Sequence, residues 1–167
     1  MDDTVIQDFD DGADDDQDHP GIFIKPPYIF AAFFMLAVVL EYFWGVDIFR
    51  WGAQLTIGVL LMSFGAGTLT WCVMRFGNAQ TNLSPSRPAH ALVTDGPYHI
   101  SRNPIYLSMI AIYLGLVVVF DIVWGLVLLV PLIYVIKTFV IEKEEAYLER
   151  RFGEEYLEFK ASTRRWL

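Results

Sequence analysis

The sequence predicts an all-α, polytopic integral membrane protein with about four transmembrane helices and a cytoplasmic helical segment after them. Three observations predict this. The 167 residues are 54% hydrophobic and their mean hydropathy is +0.39. Only 19% are charged, fewer than the surface of a soluble domain this size needs. The apolar residues are gathered into runs long enough to cross a bilayer, and aromatic residues are abundant, as expected where rings sit at membrane interfaces.

The elements follow in order. Residues 1–24 read as a disordered acidic tail: the first 20 residues hold nine Asp and no Lys or Arg. They lack the basic n-region of a signal peptide and the ligand spacing of a calcium-binding loop. The chain's net charge is -8, so the remainder, with 12 basic and 11 acidic groups, is nearly neutral. The low pI therefore describes the tail and says nothing about a substrate. Residues 25–167 form one membrane domain. Its first crossing, 28–46, is apolar except for Glu41 and Gly45 and reaches roughly 28 Å as a helix, about the hydrocarbon thickness. The second, 51–74, carries Gly58, Gly65, Gly67, Ser63, Thr68 and Thr70, small residues that let membrane helices approach closely.

Residues 75–103 break the pattern with polar groups and three prolines, forming a loop too long to be a simple connection. Apolar stretches at 105–120 and 123–138 flank Asp121. One helix over residues 105–136 would be about 48 Å long, so a hairpin turning near Asp121 is the better reading. Residues 141–167 are charged. Leu148, Phe152, Tyr156 and Phe159 fall near helical spacing, with Gly153 as a break, which predicts an amphipathic extension on the membrane face.

Four crossings put the N-terminal segment, the 75–103 loop and the 141–167 segment on one side. That side holds every Lys and Arg except Arg50, so both ends are expected in the cytoplasm, with a bacterial inner membrane as the setting. The single Cys72 rules out an internal disulfide.

A hairpin brings two polar sets to the same membrane edge. The loop supplies His90, Asp95, Tyr98, His99, Arg102 and Asn103; the segment after the last crossing supplies Glu142, Glu144, Glu145, Arg150 and Arg151. The plainer alternative is a solvated helix and a positive-inside anchor. His90 and His99 lack close metal-ligand spacing, and no metal site is expected. No glycine-rich nucleotide loop or GxSxG elbow is present.

The run His90-Ala91-Leu92-Val93-Thr94-Asp95-Gly96-Pro97-Tyr98 leads into Arg102-Asn103-Pro104-Ile105-Tyr106. Beyond the hairpin come Glu144-Glu145 and Phe152-Gly153-Glu154-Glu155-Tyr156. Together these resemble a bacterial-type member of the isoprenylcysteine carboxyl methyltransferase family, within the wider group that includes phospholipid methyltransferases. The likeness covers residues 76–167. In eukaryotic members a His usually stands where this chain has Asn103, and the acidic tail has no counterpart in the family pattern.

The resemblance implies an S-adenosylmethionine-dependent methyltransferase with its cofactor at the cytoplasmic edge. It assigns cofactor binding to His90, Leu92, Val93, Tyr98, Arg102, Tyr106, Glu144 and Glu145, and places Arg102 and Glu145 at the chemistry. Arg102 suits the cofactor carboxylate and a Glu its ammonium or ribose hydroxyls; a Tyr suits the adenine face. The acceptor is expected to be a small lipidic or amphipathic molecule entering from the membrane. A prenylcysteine-like carboxylate comes first by resemblance, with phospholipid amines and hydrophobic thiols or phenols as alternatives. Membrane lipids are the surroundings and no nucleic-acid partner is expected. A different class of reading is a non-catalytic membrane scaffold, in which Gly58, Gly65 and Gly67 would form an oligomer contact.

Overall fold

The computed structural model describes residues 21–22, 24–45, 52–79 and 89–167. Most of the acidic tail, Arg50 and Arg87 lie outside the described residues. Among the described residues every regular element is helical. The four apolar helices are α1 (Pro26–Trp44), α2 (Gln54–Asn78), α3 (Pro104–Val119) and α4 (Val123–Ile136). Two short helices follow, α5 (Glu142–Phe152) and α6 (Glu154–Ser162). The chain is a polytopic membrane protein.

Helix boundaries follow local chemistry. The first helix starts ahead of the apolar run because Pro26 and Pro27 take its first positions, where a missing N–H leaves little unsatisfied. The second continues past residue 74 to Asn78. Its last turn carries Arg75, which suits the negative end of the helix and pairs with Asp95 at 2.9 Å. The fourth does not stop at the end of the apolar run. A π-helical turn, Lys137–Ile141, joins it to α5 in one continuous 30-residue helix, Val123–Phe152. The apolar span ends at that turn, since α5 opens with Glu142, Lys143, Glu144 and Glu145.

The expected hairpin turns at Phe120–Ile122, where Asp121 takes the left-handed conformation with φ 54°. Two polar side chains inside the apolar helices serve this turn. Gln54 Nε2 donates to the carbonyls of Val118 and Val119 at 2.9 and 3.2 Å, adding a side-chain donor at the end of α3. Glu41 accepts the Trp124 N–H at 3.1 Å at the start of α4. Helix ends leave backbone groups without intrahelical partners, so the two side chains have a structural reason to be there.

Helix α2 packs on α3 and α1 packs on α4. The first contact depends on glycine. A Cβ on Gly65 would lie 2.6 Å from the Ser108 carbonyl oxygen, and one on Gly115 would lie 2.7 Å from that of Gly58. Gly58 and Gly65 are thus used within the chain, against α3, where the scaffold reading would have put a partner. A Cβ on Gly67 would meet nothing within 4 Å. On the other side, the Phe30 and Phe34 rings of α1 meet the Tyr113 ring of α3 edge-on, with centroids 6.4 and 6.1 Å apart.

Gly153 (φ 53°) ends α5 and turns the chain into α6. The apolar face of these two helices packs inward: Tyr156 and Phe159 are buried with Cys72, Val93 and Tyr98, and Leu148 and Phe152 pack against them. The amphipathic segment is therefore a wall of the protein as well as a surface helix pair.

Candidate functional site

The site is built where the loop after α2, the start of α3 and the α5–α6 pair converge. The loop is held by its own chemistry. Asp95 is tied to Arg75. Gly96 has φ 62°, and a Cβ there would lie 3.0 Å from Arg75 Nε, so both the conformation and the close approach call for glycine. Pro97 then starts a short 3-10 turn, Gly96–His99, that directs Tyr98 inward. Tyr98 is buried, and its ring lies 5.8 Å from that of Phe76. Further back, the Ala89 N–H donates to the Tyr147 hydroxyl at 3.0 Å, docking the loop on α5.

At the start of α3, three consecutive residues hold the segment that follows α6. The Arg102 N–H donates to the Arg164 carbonyl at 2.8 Å. Ser101 Oγ and Asn103 Nδ2 each donate to the Arg165 carbonyl at 3.1 Å. The position that departs from the eukaryotic pattern, Asn103, is thus a buried anchor for this strap.

Arg102 lies beneath the strap. Its Nη1 donates to the carbonyls of Lys160 and Thr163 at 2.7 and 3.2 Å. Its Nη2 pairs with Glu145 at 3.3 Å. Glu145, only 6% exposed, also takes a two-pronged contact from Arg165, 3.0 Å from Nε and 2.7 Å from Nη2. One carboxylate is therefore shared by two guanidinium groups, which leaves Glu145 little capacity for a ligand. Arg102 Nε is different: it is buried without a hydrogen-bond partner.

Glu144, the neighbour of Glu145, accepts from the Tyr106 hydroxyl at 2.8 Å through Oε2. Burial pushes its carboxyl above the usual range; the Tyr106 hydrogen bond works against that rise and the charge of Glu145 adds to it.

These groups face a cavity of about 810 Å³. Leu92, Val93, Tyr98, Arg102, Tyr106, Glu144 and Glu145 all line it. His90 does not: it is exposed, while its neighbours Ala89 and Ala91 form part of the wall. Arg150 and Arg151 are exposed toward the far end of α5, and His99 is exposed beside Tyr98.

The cavity also runs away from the polar end. Its wall includes Phe30, Ala31 and Phe34 from α1, Leu69 and Val73 from α2, and Ile112, Tyr113 and Leu116 from α3. From Pro104 to Leu116 the helical rise is about 18 Å, so the apolar arm is deep. Ala31 and Val73 are exposed as well as lining, so the arm reaches the outer surface between α1 and α2.

Comparison with known proteins agrees with this architecture. A family model described as "Phospholipid methyltransferase" matches residues 53–155. The chain belongs to this family. The matched stretch holds the α2–α3 pair, the loop, Arg102 and both glutamates; α1 and Arg165 lie outside it. An uncharacterized protein of Haemophilus influenzae is 54% identical over 35 residues, 21% of this chain and 56% of that protein. The chain thus matches little more than half the length of that relative. No solved structure matches.

Arg165, Tyr147, Asn103 as an anchor, and the contribution of α1 were not foreseen from the sequence. The signal available for Arg165 was the basic pair Arg164-Arg165 in the segment after α6.

Proposed function

We propose that this family member transfers a methyl group from S-adenosylmethionine to an amphipathic acceptor that enters from the membrane. The observation that supports this reading best is that a polar end and an apolar arm meet in one cavity. The two ends suit two different molecules.

The polar end fits the cofactor. Its amino-acid head carries a carboxylate and an ammonium side by side. Arg102 Nε is a buried donor with no partner, and Glu144 keeps one carboxylate oxygen beyond its bond to Tyr106. A cation and an anion on one wall suit such a head. Leu92, Val93 and Tyr98 offer an apolar and aromatic shelf for the adenine. Because Arg102 Nη1 already serves the Lys160 and Thr163 carbonyls, the contact is made from the Nε side of the guanidinium. Glu145 acts as a positioning residue, fixing the Arg102 guanidinium through its charge.

The cofactor supplies a methyl carbon made electrophilic by an adjacent sulfonium. What remains for the protein is alignment and exclusion of water. The strap at residues 163–166 and the α5–α6 wall close the polar end. Helix α1 closes one side of the arm. A carboxylate acceptor is already nucleophilic and needs no base. An acceptor amine, favoured by the family's description, would pass its proton to Glu144 or to water. The reading also places the polar end in the cytoplasm, where the cofactor is made.

Titration calorimetry on detergent-purified protein tests the cofactor half. S-adenosylmethionine and its demethylated product are expected to bind at micromolar concentrations. Absence of heat and of any thermal shift with both ligands would remove the enzyme reading.

A further inference from the structure

We infer that Lys25 reads an anionic group on the acceptor, so that the molecule taken by the apolar arm is an amphiphile with a phosphate or carboxylate near its reactive end. This rests on the arm being the acceptor's entrance.

Among the described residues two cationic side chains line the cavity, Arg102 and Lys25. Their situations differ. Arg102 has both outer nitrogens bound to Lys160, Thr163 and Glu145. Lys25 is exposed, and among the described residues its ammonium has no carboxylate or hydrogen-bond partner. It stands immediately before α1, the helix whose Phe30 and Phe34 form one wall of the arm. An ammonium on a flexible apolar stem, placed where hydrocarbon gives way to polar surroundings, can lay its stem along the wall and present its charge at the mouth.

The local backbone makes the side chain the natural donor. The first two residues of α1 are Pro26 and Pro27, which have no N–H, and the Tyr28 N–H is spent on the Lys25 carbonyl at 3.0 Å. The helix end therefore offers few amides to an anion, and the lysine supplies the charge. A neutral lipid tail would gain nothing from it. An anion held there would keep the head group at the polar end while the chain fills the arm. Lys25 also lies outside the stretch matched by the family model, residues 53–155, so this selectivity would belong to this chain and not to the shared methyl-transfer machinery.

The test uses full-length protein in neutral maltoside detergent and three dodecyl chains carrying the same photoreactive diazirine. They differ only in head group: phosphate, carboxylate or hydroxyl. Labelling of α1 and α3 peptides is read by mass spectrometry over a concentration series. The anionic probes are expected to half-saturate at least tenfold lower than the alcohol. Lys25→Ala should bring them to the alcohol's value, Lys25→Arg should retain the preference, and Lys143→Ala, on the exposed face of α5, should not alter it. Phosphate labelling ahead of carboxylate points to a phospholipid-type acceptor, and the reverse order to an acid. Equal labelling by all three probes, or a preference that survives Lys25→Ala, overturns the role of Lys25 while leaving the arm as an entrance. Failure of every probe to label these peptides, in protein that still binds S-adenosylmethionine, overturns both the entrance and this inference.

Discussion

Replacing Glu145 with Gln perturbs the centre of the site with the least change of shape. Glu145 is 6% exposed and touches Arg102 at 3.3 Å and Arg165 at 3.0 and 2.7 Å. The amide keeps one acceptor but removes the charge that two guanidinium groups share. Removing one partner of a buried ion pair costs about 3–5 kcal/mol, because the other is left buried and uncompensated. Arg102, whose side chain is 10% exposed, bears that penalty in full. Arg165, at 32%, can rehydrate, so its share is discounted. The expected loss is near the low end, about 3 kcal/mol, or roughly two orders of magnitude in the unfolding equilibrium. Titration from maltoside into sodium dodecyl sulfate micelles, followed by tryptophan fluorescence, measures it. The double variant Glu145→Gln/Arg165→Ala should cost little more than Glu145→Gln alone, since both remove the same contact. A loss under about 0.5 kcal/mol for Glu145→Gln, or strict additivity in the double variant, would refute the shared-carboxylate reasoning.

Other expectations follow from the same geometry. Asn103→Ala should lower stability by about 1 kcal/mol through loss of the Arg165 carbonyl contact, measured by the same titration. Gly65→Leu should lower the yield of folded protein far more than Gly67→Leu in size-exclusion profiles, because only the first meets α3 backbone. Gly96→Ala should cost about 1–3 kcal/mol, since it forces a side chain into a left-handed turn against Arg75. For Glu144, the folded chain holds the proton more tightly than the unfolded one, so its contribution to stability is lost as pH rises from the ordinary 4.5 through the raised value. Glu144→Gln should remove that slope, and a stability-against-pH difference between the two proteins that stays flat would contradict the burial of this carboxyl.

Much of the fold was legible because membrane crossing imposes length and composition. The four apolar stretches became helices, and the hairpin at Asp121 followed because one 32-residue apolar helix would overreach the hydrocarbon. Boundaries were less legible. Nothing in the apolar pattern signals that α4 runs through a π turn into α5, since the chain stays helical while its composition changes. The glycines were legible as contact residues but not as to whose contact: Gly58 and Gly65 pack on α3 because Ser108 and Gly115 present matching backbone there. At the site, the loop and glutamate motifs identified seven cavity-lining residues. They could not show that Glu145 is saturated by Arg102 and Arg165 while Glu144 is not, because that depends on where residues 163–166 fold back. Nor could they show the wall made by Lys25, Phe30 and Phe34, since an entrance between helices is a property of packing.

A methyl donor at the polar end and an amphiphile in the apolar arm are proposed to meet in one cavity. Incubating purified protein with methyl-labelled S-adenosylmethionine and a total membrane lipid extract tests it most directly. The predicted result is label in an organic-soluble product, formed by the wild type and lost in Arg102→Ala. Release of that label by mild base would identify an ester, and retention an N-, S- or aryl O-methyl product. Label confined to water-soluble products, or no transfer by protein shown to bind the donor, would contradict the claim.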